Sequence, residues 1–210
     1  LALEELGPIF VKFGQVLSTR RDLLPPDIAD ELNLLRDQVA PFPGEIARAE
    51  IERALGKPVA ELYATFEMTP LASASIAQVH KALTKDGEQV AVKILRPGVE
   101  KRFADDLSSF FFAALMMERF SREAQRLRPV AAVEMLEHSM RLELDLRMEA
   151  SAISEMAKAT VDDPNFRLPT VNWPLTARQA LTTDWIDGTP IPDIATLSAN
   201  GFDLKAPGDN

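Results

Sequence analysis

Between positions 71 and 93 the chain sets three small residues and one lysine at a fixed separation, and this stretch restricts the fold more than any other. Ala72, Ala74 and Ala77 follow an A-x-A-x-x-A spacing, with Ser73, Ser75 and Ile76 between them. The spacing is that of a G-x-G-x-x-G phosphate-binding loop with alanine at every glycine position. Lys93 lies sixteen residues beyond Ala77 and closes the run Val90, Ala91, Val92, Lys93, close to the V-A-I-K signature whose lysine holds nucleotide phosphates. The intervening residues predict a strand over 76–82, a polar turn at Lys85, Asp86, Gly87 and Glu88, and a second strand over 88–95 with Val90, Val92 and Ile94 alternating. Such a hairpin lays the lysine beneath the loop. Small side chains let a backbone approach a bulky polyanion, and its N–H groups then face the anion's oxygens. Alanine resists positive φ, so this loop is expected to be stiffer and less cradling than a glycine loop. A small-residue hairpin packed on a neighbouring element is the plain alternative. The lysine at the right distance favours nucleotide binding over it.

The 210 residues suffice for one substantial domain or two small lobes, and 46% hydrophobic content allows a packed core. A net charge of −9 argues against a nucleic-acid partner, which needs a basic face. With no cysteine, disulfides and cysteine–zinc sites are excluded. His80 and His138, the only histidines, are far apart and lack ligand spacing; His80 sits in a strand pattern and reads as structural. The longest apolar run, 110–117, is far short of the ~20 residues of a transmembrane helix. The first residues have no basic n-region of a signal peptide. Both ends read as those of a fragment.

Helical periodicity covers 2–18 through Leu3, Leu6, Phe10, Phe13 and Leu17, and proline-bounded helices follow over 25–39 and 44–55. The region 60–71 reads as a strand, with a helical turn over 60–63 as the alternative. Helices are expected over 99–126 and 129–160, strands over 168–171 and 179–185, and a short helix over 192–199. The second long helix carries Glu143, Asp145 and Glu149. Asp145 and Glu149 are about 40° apart on an ideal helix, whereas Glu143 points about 160° away from Asp145. Either the helix breaks near Leu144 or one carboxylate serves elsewhere. Alone, these acids read as a solvated face. The stretch 181–188 could be the strand and hinge on which an adenine ring rests. Lys12, Gly14 and Gln15 form a K-x-G-Q run whose mid-helix glycine, costing about 1 kcal/mol against alanine, points to close packing or a bend.

Together these motifs resemble the UbiB family of atypical kinases, the aarF-domain kinase-like proteins linked to ubiquinone synthesis. K-x-G-Q falls at 12–15, the alanine loop with its S-I-A-Q-V-H continuation at 72–80, the lysine with its R-P-G-V extension at 93–99, and E-x-D at 143–145 with a following E-A at 149–150. The resemblance implies an α+β fold: a protein-kinase-like N-lobe, antiparallel sheet plus long helices, preceded by a helical N-terminal extension. It divides the chain into the extension at 1–58, the N-lobe with inserted helices at 59–188, and a hinge with the start of a truncated C-lobe at 189–210. It implies ATP and Mg2+ as cofactors. Lys93 would pair with Glu149 and touch the phosphates. Glu143 and Asp145 would lie at the active site, Glu143 as magnesium ligand. Ala72, Ser73, Ala74, Ser75, Ile76, Ala77, Asp184 and Ile186 would line the nucleotide, and Lys12, Gly14 and Gln15 would cover the cleft. The implied activity is that of an ATPase or small-molecule kinase. The implied partners are quinone-pathway lipids or biosynthetic proteins and, in the full-length protein, a membrane surface on the cytoplasmic side of the bacterial inner membrane or its mitochondrial equivalent. The fragment itself is expected to be soluble.

No H-R-D-type catalytic loop and no D-F-G-type metal motif occurs in the sequence. The C-lobe is therefore expected to be missing, and the chain alone is expected to be inactive. A pseudokinase-like module that senses nucleotide or lipid and acts through partners is the competing reading. A hydroxylase reading finds neither a dinucleotide fingerprint nor a metal cluster to support it.

Overall fold

A computed structural model describes Asp27 and residues 39–163 and 166–188. Its first helix, α1 (Gly44–Leu55), matches the expected bounds. Gly44 is required there, because a Cβ would lie 2.1 Å from the Met68 carbonyl oxygen, so the loop after the first strand rests directly on the helix backbone. One helical turn, α2 (Val59–Leu62), leads into β1 (Tyr63–Phe66). The expected long strand over 60–71 is thus mostly helix turn and loop, and only its middle pairs. Next come β2 (Ala72–Ser73), β3 (Ala77–Thr84) and β4 (Gln89–Leu95). The β3–β4 turn closes through Thr84 N–H donating to Glu88 O at 2.8 Å, with Gly87 at φ 86° as the left-handed corner.

Four helices follow: α3 (Val99–Phe120), α4 (Arg122–Leu127), α5 (Pro129–Glu143) and α6 (Leu146–Ala159). Both long helices expected from the sequence are therefore broken. Ser121 breaks the first, since its extended backbone and its hydroxyl, accepting from Ala124 N–H, cap a new helix. The second breaks at Leu144–Asp145. A 3₁₀ turn (Trp173–Leu175) precedes the last strand, β5 (Ala180–Asp184). The expected strand at 168–171 shrinks to a single bridge from Val171 to Thr183. Pro169 has no N–H to give, and Thr170 N–H turns to the Asp184 carboxylate instead.

The described strands form one antiparallel sheet, ordered β1-β3-β4-β5, with β2 also pairing β3. Alternation along β4 sends Val90, Val92 and Ile94 to one face, where they meet Ala47 and Ile51 of α1 and Tyr63 of β1. Burying each such branched side chain contributes about 1.5–3 kcal/mol. Residues 44–58 therefore share a core with the sheet, and a boundary at 58 cuts through that core. The polar groups buried on this face are paired. The Thr182 hydroxyl donates to Leu175 O at 2.8 Å, so the Tyr63 hydroxyl donates to Thr182 Oγ1, also at 2.8 Å. Gln78 accepts from Phe42 N–H and donates to Phe42 O, which fixes its amide. Its NH2 group also meets His80 Nε2 at 2.8 Å, so that ring nitrogen is bare and Nδ1–H donates to Glu67 O. His80 is structural, as expected. The other face packs Ala77, Leu95 and Leu181 against Phe103, Leu107, Met140, Leu146 and Ala150 at one end and leaves the other end open.

Candidate nucleotide cleft

The open end of that face is a cavity of about 360 Å3. Register builds its floor: Val79, Lys93 and Leu181 form one cross-strand row, and Ala91 with Thr183 the next. Ala72, Ala74 and Ala77 of the loop form one wall, Glu149 and Ile153 of α6 the opposite one, and Pro169 the rim. Lys93 Nζ donates to both Glu149 carboxylate oxygens, at 2.9 and 2.8 Å. The expected ion pair is present. With 31% and 42% of the two side chains exposed, it adds at most about 1 kcal/mol to stability. Its value is positional: it extends the lysine across the cleft.

The helix break makes this pair possible. Leu144 leaves the helix and Asp145 is extended at φ −121°, so α6 starts afresh with its own direction. Leu146 N–H donates to Arg178 O at 2.9 Å, and buried Leu146 and Ala150 seat α6 against the sheet. Glu149 and Ile153, one turn apart, then face the cavity together. Asp145 caps α6 by accepting from Arg147 N–H at 3.1 Å, and its two oxygens accept from Arg147 Nε and Nη2 at 2.9 and 2.6 Å. These Arg147 bonds hold its carboxyl below the usual carboxylate range, with Arg178 assisting. The UbiB resemblance implies Asp145 at the active site; its carboxylate instead bonds Arg147, and it is not among the residues that line the cavity. Glu143 closes α5, half-buried and with an interaction of its own.

The loop is less cradling than a glycine loop, as expected from its alanines. All its described residues keep negative φ, and Ala74 N–H donates to Ala77 O at 2.8 Å instead of pointing outward. Its alanines face the cavity, whereas Ser73 turns to Arg96, Ser75 is buried and Ile76 packs on the helical core. Asp184 lies on the strand face opposite Thr183, accepting from Thr170 N–H and 3.8 Å from Arg167; Ile186 lies beyond β5, 36% exposed. Neither side chain lines the cavity. Lys12, Gly14 and Gln15 lie outside the described residues. Sequence reading missed Thr183 as a lining residue and Arg96 as the loop's brace. Period-two alternation from Leu181 would have found the first. The second sat unassigned in the R-P-G-V run.

Residues 34–206 match the ABC1 atypical kinase-like domain. The chain belongs to the ABC1 atypical kinase-like family. It is 46% identical over 205 residues to a probable protein kinase UbiB of Marinobacter nauticus and 49% identical over 205 residues to one of Pseudomonas putida, covering 98% of this chain and 38% of each relative. The chain thus spans about two fifths of the length of these relatives. Among solved structures, that of the Rv3197–erythromycin complex from Mycobacterium tuberculosis is 32% identical, with a TM-score of 0.60, over 93% of this chain and 49% of that one. The helices and antiparallel sheet are those of a kinase-like ABC1 domain.

Proposed function

We propose that the cleft binds ATP with Mg2+ and that the domain serves an atypical kinase or ATPase of the UbiB type in ubiquinone synthesis. The observation that carries this is the Lys93–Glu149 pair in a cavity with three alanines along one side. The apolar lining from Val79, Ala91, Leu181 and Ile153 suits a planar base, and the volume lies within the usual range for small-ligand sites of about 300–1,000 Å3. Lys93 is the only cation among the described lining residues, and it meets the phosphates while Glu149 keeps it extended. Mg2+ is commonly held by one or two carboxylates together with substrate phosphates. The UbiB resemblance makes Glu143 the proposed protein ligand, although it is not among the residues that line the cavity, and among the described residues there is no cluster of three ligating side chains. Asp145 would have to surrender Arg147 to join it. Bound Mg2+ would neutralise phosphate charge as it develops.

The UbiB resemblance also carries the proposed setting: a quinone-pathway lipid or biosynthetic protein as partner, on a membrane surface. Among the described residues no helix is long and apolar enough to cross a membrane. The inward-turned Ala74 N–H and the occupied Asp145 favour, as a second reading, a module that binds nucleotide without turning it over. Calorimetric titration of Mg-ATP, run beside phosphate release on the full-length gene product, separates the two. Binding that falls at least about tenfold in Lys93→Ala supports the nucleotide reading. Release above background, lost in the same variant, supports the enzyme. Equal binding by wild type and variant rules out the site.

A further inference from the structure

We propose that Arg96 is a positioning residue for the cleft, fastening the alanine loop to the chain segment 39–42. This rests on the reading of the cleft as a nucleotide site. The loop is anchored at its start by the short pairing of Ala72 and Ser73 with β3, and its tip is closed by one internal backbone bond, Ala74 N–H to Ala77 O. Arg96 adds side-chain bonds to the tip from outside the loop. Its Nε donates to Ala74 O at 2.9 Å and its Nη2 to Ser73 Oγ at 2.7 Å. The same Nη2 reaches Ala40 O at 3.0 Å, and its backbone N–H donates to Ile76 O at 2.8 Å. The guanidinium lies 5.6 Å from the centre of the Phe42 ring.

The segment 39–42 is itself tied down, since Phe42 exchanges two backbone bonds with the buried amide of Gln78. Arg96 follows Lys93 by three residues at the end of the same strand system. The strand thus carries the cation that faces the cleft, and the first residue past its end carries the cation that bonds the loop. Only a planar fork with several N–H donors spans Ala74 O, Ser73 Oγ and Ala40 O together; a lysine reaches one or two of them. The loop and segment 39–42 consequently move as one piece, and a shift of either is felt at the cleft.

Arg96→Lys and Ser73→Ala in the full-length gene product test this, with Lys93→Ala as the control. Two readouts are taken: backbone hydrogen exchange without nucleotide, and calorimetric Mg-ATP affinity. Arg96→Lys is expected to speed exchange at 72–77 and 39–42 while leaving β4 protected, and to weaken Mg-ATP about tenfold. Ser73→Ala is expected to speed exchange at 72–77 alone and weaken binding about two- to threefold. Wild-type exchange at 72–77 in Arg96→Lys overturns the fastening. Should that variant not fold, wild-type exchange at 72–77 in Ser73→Ala overturns it. Faster exchange with wild-type affinity, in a protein whose binding Lys93→Ala abolishes, overturns the link to the cleft. If Lys93→Ala binds as wild type, the nucleotide reading fails, and the exchange readout still decides the fastening by itself.

Discussion

The two faces of the sheet are made by the same strands and obey opposite rules. On the face toward α1, β4 contributes Val90, Val92 and Ile94, all at most 2% exposed, and every polar group named there has a partner. On the other face the alternate residues of that strand, Ala91 and Lys93, line a cavity, and the lysine is held by a half-exposed carboxylate. A seven-residue strand thus carries both the rigid core and the chemistry. Stability and binding should therefore separate residue by residue along it.

Ile94→Ala is the largest expected break. Ile94 is wholly buried, and emptying its place costs about 2–5 kcal/mol. Urea unfolding measures this, and Mg-ATP affinity per folded molecule should hold. A loss below 1 kcal/mol would mean that the α1 side is not the tighter face. Tyr63→Phe should cost about 1 kcal/mol, because Thr182 keeps its bond to Leu175 O and loses only the phenolic donor. The same denaturation series reads it, and a change beyond 3 kcal/mol would show that the ring, not the hydroxyl, had moved.

The closed face also sets the pH limits. Burial pulls His80 below its ordinary value of 6.5. The unfolded chain then takes up a proton that the folded one resists, so this stability is present above pH 6.5 and declines as pH falls below it. Burial pushes the Tyr63 hydroxyl up to about 12 from 10.0, so stability falls again as pH rises from 10 toward 12. Melting temperature against pH should show both flanks. His80→Gln should flatten the acid one, and an unchanged acid flank would remove His80 as its source. The smallest stability change is expected on the open face: Lys93→Ala should shift unfolding by no more than about 1 kcal/mol, although it removes the cation of the cleft. A larger loss, measured by the same urea series, would make the pair part of the core.

Much of this division was legible in the sequence. The period-two pattern of β4 gave the faces, and the A-x-A-x-x-A spacing with Lys93 gave the loop above the lysine. The helical angles at Glu143, Asp145 and Glu149 required either a break near Leu144 or a second role, and both occur: the helix breaks there and Asp145 serves as a cap. What stayed hidden depends on backbone partners, which leave no side-chain signal. Arg96 binds the carbonyls of Ala74 and Ala40. The interruption at Ser121 rests on a single hydroxyl inside an otherwise continuous apolar pattern. Asp184 looked like a hinge residue because strand and motif order placed it there, but its carboxylate is taken by the backbone of Thr170.

That last contact bears on how the molecule behaves in a crowd. The outer margin of β5 would offer a row of open backbone groups to any extended chain that came past. Residues 170–172 lie along it instead: Asn172 N–H donates to Thr182 O and Asp184 N–H to Thr170 O, each at 2.9 Å, and Val171 bridges Thr183. Pro169 then ends the run with a residue that has no N–H, so the covering segment cannot itself template another strand there. A length of chain that looked like a failed strand serves as a selvage, keeping the woven edge from taking up stray thread.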